Sequence, residues 1–182
     1  MGNPQSYCEF VLRLEDSNVH KIYHDTEYGF PVIDDDLLFE RLVLEINQAG
    51  LSWTTILNKK KYFRIAYNNF DIKKVASYKE NDVIRLLSDA GIIRNRLKIM
   101  ATIHNANVIL DLQNESGSFK NWLDTHSKNT KDDWVRFFKR TFKFTGGEIV
   151  NEFLISTAYL PNAHSSYCDI SESISDMINT QV

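Results

Sequence analysis

From Asp34 onward the chain reads as a succession of 3.6-periodic apolar stripes, most of them bracketed by a side-chain cap or a helix stop. That pattern dictates packed helices. Asp34-Asp35-Asp36 supplies a cap and first-turn acids for a helix running to Gln48, with Gly50 as its stop. Ser52 caps the next, Trp53–Tyr67, and Asp71–Tyr78 is a short one. Glu80–Ala90, with Val83, Leu86, Leu87 and Ala90 inward, stops at Gly91, and Asn95–Leu112 carries Leu97, Ile99, Met100, Ile103 and Val108. Asn114–Gly117 reads as a loop and Phe119–Leu123 as the start of a short helix. Thr130-x-x-Asp133 resembles a capping box ahead of Trp134–Thr141, and Phe142–Gly147 turns the chain into Glu148–Tyr159. Ile170, Ile174, Met177 and Ile178 suit an amphipathic tail helix. Residues 7–33 read instead as an irregular, aromatic-rich segment. Seven glycines and three prolines are too few for a many-turned sandwich, and no convincing strand appears. The expected fold class is all-α.

The stretch Leu42–Trp53, LVLEINQAGLSW, breaks the pattern in one place. On a helical wheel Glu45 shares a stripe with Leu38, Leu42 and Ala49 and lies opposite the polar stripe Asp36, Glu40, Asn47. An acid on an inward face has either a buried partner or a task. Tyr23, Tyr28, Trp53 and Phe10 are candidate rings around it; such rings more often belong to a core. A pocket of aromatics with one desolvated carboxylate suits a flat cationic guest, whose faces the rings stack and whose charge the acid holds.

His164-Ser-Ser-Tyr-Cys168 sets two ligand types four residues apart, and Cys8 and His24 complete a Cys2His2 set suited to tetrahedral zinc. The bland alternative is a surface histidine beside two unrelated thiols. If real, the site has four protein ligands and no open position, so it is structural. Gly146-Gly147 before a helix, near Arg136, Lys139, Arg140 and Lys143, offers a close backbone approach to phosphate, and Gly91 with Arg94, Arg96 and Lys98 repeats that logic. Each alone is an ordinary turn or a solvated basic face.

At 182 residues, 43% of them hydrophobic, with a net charge of −3, the chain is long enough for one globular domain and is not coated in positive charge. No basic flank leads into an apolar core at its start, and no apolar run approaches the roughly 18 residues of a membrane span. Met1-Gly2 with Ser6 matches the N-myristoylation pattern, too short a match to carry weight. A cytoplasmic location and no membrane association are expected.

IYHDTEYGFP, LEINQAGLSW, DAGIIRNRLKI, FKFTGG and HSSYC, in this order between Cys8 and Cys168, closely resemble motifs of the DNA-3-methyladenine glycosylase I family, helix-hairpin-helix DNA glycosylases. The resemblance implies an all-α helix-hairpin-helix fold in a single domain over 1–182, with core 7–168 and a tail, 169–182, of unassigned role. It implies a structural zinc on Cys8, His24, His164 and Cys168 that joins the N- and C-terminal segments. Carried onto matching positions, Glu45 and Tyr23 become the base-pocket acid and tyrosine that carry catalysis. Trp53 stacks the base, with Tyr28 and Phe10 in the substrate pocket, and Gly146, Gly147 and Lys143 at the hairpin grip DNA. The implied activity is monofunctional excision of 3-methyladenine from double-stranded DNA in base excision repair, by a monomer; the alternative is a non-catalytic module that binds alkylated DNA. Tyr28 and Phe10 stand where family members commonly have tryptophan, Asn47-Gln48 replaces two glutamines, and the segment between Trp122 and Phe142 is shortened. Each tyrosine or phenylalanine keeps a ring but alters pocket size and polarity.

Overall fold

A computed structural model describes residues 4–180, with the backbone alone over 178–180. Met1-Gly2 of the lipidation pattern and the side chain of Ile178 lie outside the described residues. All regular structure among those described is helical. No helix among them is long and apolar enough to cross a membrane. The chain divides into two compact units: Ile33–Phe153, and Met1–Val32 with Leu154–Val182.

In the order of the chain, the helices are α1 (Tyr7–Val11), α2 (Val19–Thr26), α3 (Asp35–Gln48), α4 (Trp53–Ala66), α5 (Ile72–Ala76), α6 (Glu80–Ser88), α7 (Arg96–Ser116), α8 (Phe119–Thr125), α9 (Lys131–Thr141), α10 (Gly147–Ser156) and α11 (Asp169–Thr180). The caps read from sequence do their work. Asp34, Ser52 and Thr130 each accept a backbone N–H of the first turn of their helix, and Asp133 returns the bond to Thr130. Asp71, read as the start of a helix, is itself a cap, accepting the Lys74 N–H.

Several expectations are corrected. The segment 7–33 contains two helices, α1 and α2, capped by Ser6 and Asn18. Helix α7 runs through the expected loop at Asn114 and ends where Gly117 takes φ +84. Ala90 lies beyond α6 and is exposed, and Leu97 and Met100 point outward.

The larger unit is built around α3. Every residue from Leu38 to Asn47 is buried, so this helix has no solvent face, and the polar stripe expected at Glu40 and Asn47 is interior too. Phe39, Leu42, Phe63, Tyr67 and Phe70 fill the core beside it, with Tyr67 stacked between Phe63 and Phe70 at centroid distances of 6.1 and 5.6 Å. Burying a side chain of this kind is worth about 1.5–3 kcal/mol. Asp35 fixes the neighbouring helix: its carboxylate accepts the N–H groups of Phe119 and Lys120 at 2.7 and 2.9 Å, capping α8 from α3.

Candidate functional site

Helix α3 carries two buried acids with opposite circumstances. Glu40, 3% exposed, accepts the guanidinium Nε of Arg64 at 2.9–3.0 Å, and the Lys60 ammonium lies 3.7 Å away. Glu45, 6% exposed, accepts no hydrogen bond from any described residue. Burial first, and then the nearby Glu152 carboxylate, push Glu45 up to about 8, while Arg41 acts the other way. The paired acid is structural. The second is a desolvated carboxyl held neutral at pH 7, with its hydrogen-bonding capacity unspent.

The chain leaves α3 through Ala49–Ser52 and re-enters helix at Trp53, the half-buried first residue of α4. Lys98 on α7 holds this turn: its ammonium donates to the carbonyls of Asn47 and Ala49 at 2.9 and 2.8 Å. Lys98 is buried, and Arg96 donates to both carboxylate oxygens of Glu80 at 3.0 Å. Lys98 is therefore committed to the α3–α4 turn and does not join Arg94 and Arg96 in the phosphate-binding surface that their spacing had implied.

At the α9–α10 turn, Asn105 of α7 grips one residue from both sides. Its amide donates to the Lys143 carbonyl at 3.1 Å and its oxygen accepts the Lys143 N–H at 2.8 Å. Thr145 donates to the Phe138 and Phe142 carbonyls at 3.0 and 3.2 Å. The turn is thus rigid beneath and open above: Lys143, Phe144 and Gly146 are exposed, and a Cβ at Gly146 would meet nothing within 4 Å. Nearby basic residues are partly spent, Arg136 on Asp133 and Arg140 over the Phe137 ring.

The smaller unit brings Cys8, His24, His164 and Cys168 together, with one ligand atom from each lying within 4.8 Å of the others. His164 Nδ1 is 3.2 Å from His24 Nε2, 3.5 Å from Cys168 Sγ and 3.7 Å from Cys8 Sγ, and His24 Nε2 is 3.7 Å from Cys168 Sγ. A zinc tetrahedron with Zn–N of about 2.0–2.1 Å and Zn–S of about 2.3 Å has edges of roughly 3.3–3.8 Å. The donor set and its spacing fit that ion. Burial holds the His164 imidazole below its ordinary value, in the neutral form that ligates. Burial and the adjacent Cys8 push the Cys168 thiol up, a cost that a bound cation reverses.

The expected pocket rings Phe10, Tyr23 and Tyr28 lie in this unit. Phe10 stacks on Tyr7 at 6.1 Å; Tyr28 stands 5.8 Å from Tyr23 and 5.7 Å from the His164 ring. Gly29 is required beside them. It has φ +76, and a Cβ there would come within 2.5 Å of the Ala163 Cβ and 3.0 Å of His164 Cδ2. Gly29→Ala is expected to displace His164, destabilising the protein by about 2–4 kcal/mol and weakening metal binding; thermal melts with and without added zinc measure both.

Asp25, Lys98, Asn105 and Glu152 were not singled out as site residues from sequence, or, for Lys98, were given another role. Asp25 in IYHDTEYG had a usable signal, a carboxylate next to a candidate metal-binding histidine. The others act across 38 to 51 residues or through a second acid, which no local pattern announces.

An all-helical protein with a buried unpaired acid, an open helix–turn–helix and a Cys2His2 cluster is the class of molecule at hand. The family model for methyladenine glycosylases matches residues 13–137, and the chain belongs to that family. It is 46% identical over 101 residues to DNA-3-methyladenine glycosylase 1 of Escherichia coli (strain K12), a match covering 56% of this chain and 54% of that protein. It is 36% identical over 108 residues to DNA-3-methyladenine glycosylase of Haemophilus influenzae, covering 59% and 58%. The chain thus spans little more than half the length of these curated relatives. A structure of 3-methyladenine DNA glycosylase I from Staphylococcus aureus, concerned with its recognition of 3-methyladenine, superposes with a TM-score of 0.80 at 28% identity, covering 92% of this chain and 97% of that one.

Proposed function

We propose that this protein is a monofunctional DNA N-glycosylase that excises 3-methyladenine from double-stranded DNA in base excision repair. The observation that carries the reading is Glu45, a buried carboxyl left without a hydrogen-bond partner on a helix whose other buried acid is fully paired. Three relatives named for this activity support it.

A purine alkylated at its ring is cationic, which weakens its bond to deoxyribose, so the enzyme needs chiefly to find, extrude and hold the base. Extrusion costs a few kcal/mol, least for damaged bases. In this reading the α9–α10 turn is the hairpin of a helix-hairpin-helix, with Lys143, Gly146 and Gly147 against phosphates. Trp53 stacks on the flipped base, and Glu45 and Tyr23 bond its edge, with Tyr28 and Phe10 shaping substrate preference. A desolvated carboxyl favours a cation over neutral adenine: the bound cation lowers the carboxyl's pKa, and its proton passes to solvent. Water then attacks the sugar carbon as the C–N bond breaks, leaving an abasic site. No lysine is assigned to form a Schiff base, so no strand cleavage is expected.

Cys8, His24, His164 and Cys168 would hold zinc, whose contribution would be structural, fastening both ends of the chain. The protein works as a monomer, as one domain over 1–182, in the cytoplasm. The decisive experiment measures free 3-methyladenine released from methylated duplex DNA; binding without release would favour the non-catalytic alternative. The hairpin has its own test. Asn105→Ala leaves two backbone groups of Lys143 without their partner, costing about 2–3 kcal/mol of stability. It is expected to weaken duplex binding about tenfold by anisotropy while leaving the affinity for free 3-methyladenine within about twofold.

A further inference from the structure

We propose that Asp25 is a positioning residue for the metal centre: its carboxylate fixes the His24 imidazole in the tautomer that turns Nε2 toward Cys8, His164 and Cys168. The inference rests on the zinc reading and deepens it. A neutral imidazole has one proton and one lone pair, and only the lone pair binds metal. His24 Nδ1 lies 2.7 Å from Asp25 Oδ1, so the proton sits on Nδ1 and the lone pair on Nε2 faces the cluster. His164 is reversed: its Nε2 lies 2.7 Å from the Tyr28 carbonyl oxygen, and Nδ1 faces inward. The two rings therefore present different nitrogens, each decided by the acceptor behind it.

The consequence is sharp because the two inward nitrogens are only 3.2 Å apart. If His24 carried its proton on Nε2, that proton would bridge to His164 Nδ1 and close the site with an N–H···N hydrogen bond. Behind His164 the acceptor is main chain, which substitution cannot remove. Behind His24 it is a side chain. Asp25 is itself held by the Lys21 ammonium one turn earlier on α2. Lys21, His24 and Asp25 line, with Cys8 and Cys168, a cavity of about 500 Å³, through which solvent reaches this pair. Two thiolates balance a divalent cation and Lys21 balances Asp25, so Asp25 orients the ligand without adding net charge.

The test uses the full-length protein and zinc affinity by competition with a chromophoric chelator. Asp25→Leu is expected to lower affinity 10–100-fold, the effect typical of losing an outer partner of a ligating histidine. Asp25→Asn, whose amide oxygen still accepts from Nδ1, should lose less, and Lys21→Met should stay within about threefold. Wild-type affinity in Asp25→Leu overturns the proposal, as does a loss of thermal stability equal in the loaded and stripped forms with affinity unchanged. Failure of the wild type itself to compete for zinc overturns the zinc reading and this inference together. A measurement independent of variant folding is the long-range proton–nitrogen NMR spectrum of the stripped wild type: His24 protonated at Nδ1 supports the proposal, and protonated at Nε2 overturns it.

Discussion

Glu45→Gln is expected to release methylated base from alkylated DNA at about one hundredth of the parent rate or less, yet to melt roughly 10 °C above the parent at pH 9. The first effect follows from removing the charge that opposes a cationic base, where truncating one partner of a buried charge pair costs about 2–5 kcal/mol. The second follows from the carboxyl's own titration. Glu45 ionises near its ordinary value of 4.5 when the chain is unfolded and only at about 8 when it is folded. The folded state therefore holds a proton that the unfolded state has lost. Stability from this residue is complete below pH 4.5, drains as pH rises, and is exhausted once pH passes about 8. Across that span the ionised carboxylate costs on the order of 5 kcal/mol, which a glutamine never incurs. Parent and variant should melt alike near pH 4 and diverge steadily to pH 8. Glu152→Gln removes the like charge behind Glu45 and should move the parent's pH profile of base release toward lower pH. Scanning calorimetry at several pH values and chromatography of released base read both effects. Full release together with an unchanged melting point at pH 9 would take Glu45 out of the chemistry and out of the energetics.

Stripping the metal at pH 7 with a strong chelator is expected to lower the melting temperature by roughly 10 °C, with zinc restoring it. The four candidate ligands bring Cys8 to His164 across 156 residues, so on the proposed zinc reading the ion would bind the folded form and find no preformed site in the unfolded one. An ion present at a thousand times its dissociation constant contributes about 4 kcal/mol, and each kcal/mol moves the midpoint of a chain this size by about 2–4 °C. Cys168→Ser should mimic stripping. Because the Cys168 thiol is raised, zinc affinity should fall steeply as pH drops, protons displacing metal. Indifference of the melting point to both chelator and zinc would remove the metal from the structure's stability.

The parts legible in the sequence were those decided within one turn of helix. Asp34, Ser52 and Thr130 cap where their neighbours said they would, and the apolar spacing of α3 pointed to Glu45 as an acid on an inward face. The same wheel misjudged the opposite side, because a helix enclosed on every side has no polar face to match. Glu40 is tolerated inside through Arg64, 24 residues away, and the Lys60 ammonium. Helices α1 and α2 were missed because their caps, Ser6 and Asn18, went unread in a stretch taken as irregular, whereas the equally short α5 was found. Lys98 looked like a basic surface residue, since charge type is visible in sequence and burial is not. The Cys/His set was legible by ligand type and by resemblance; the tautomer logic behind it depended on which atoms stand behind each ring.

The long span of the cluster also bears on how the protein is made. His24 leaves the ribosome 140 residues ahead of His164, an interval of roughly seven to thirty seconds at ordinary rates of synthesis. Through that time Cys8 and His24 are half of the four-residue cluster, without the second pair that the proposed zinc site needs. On that reading, capture of the ion would wait for the arrival of HSSYC. A chain cut short anywhere in the helices between would keep one thiol and one imidazole of the four, with nothing to fasten them.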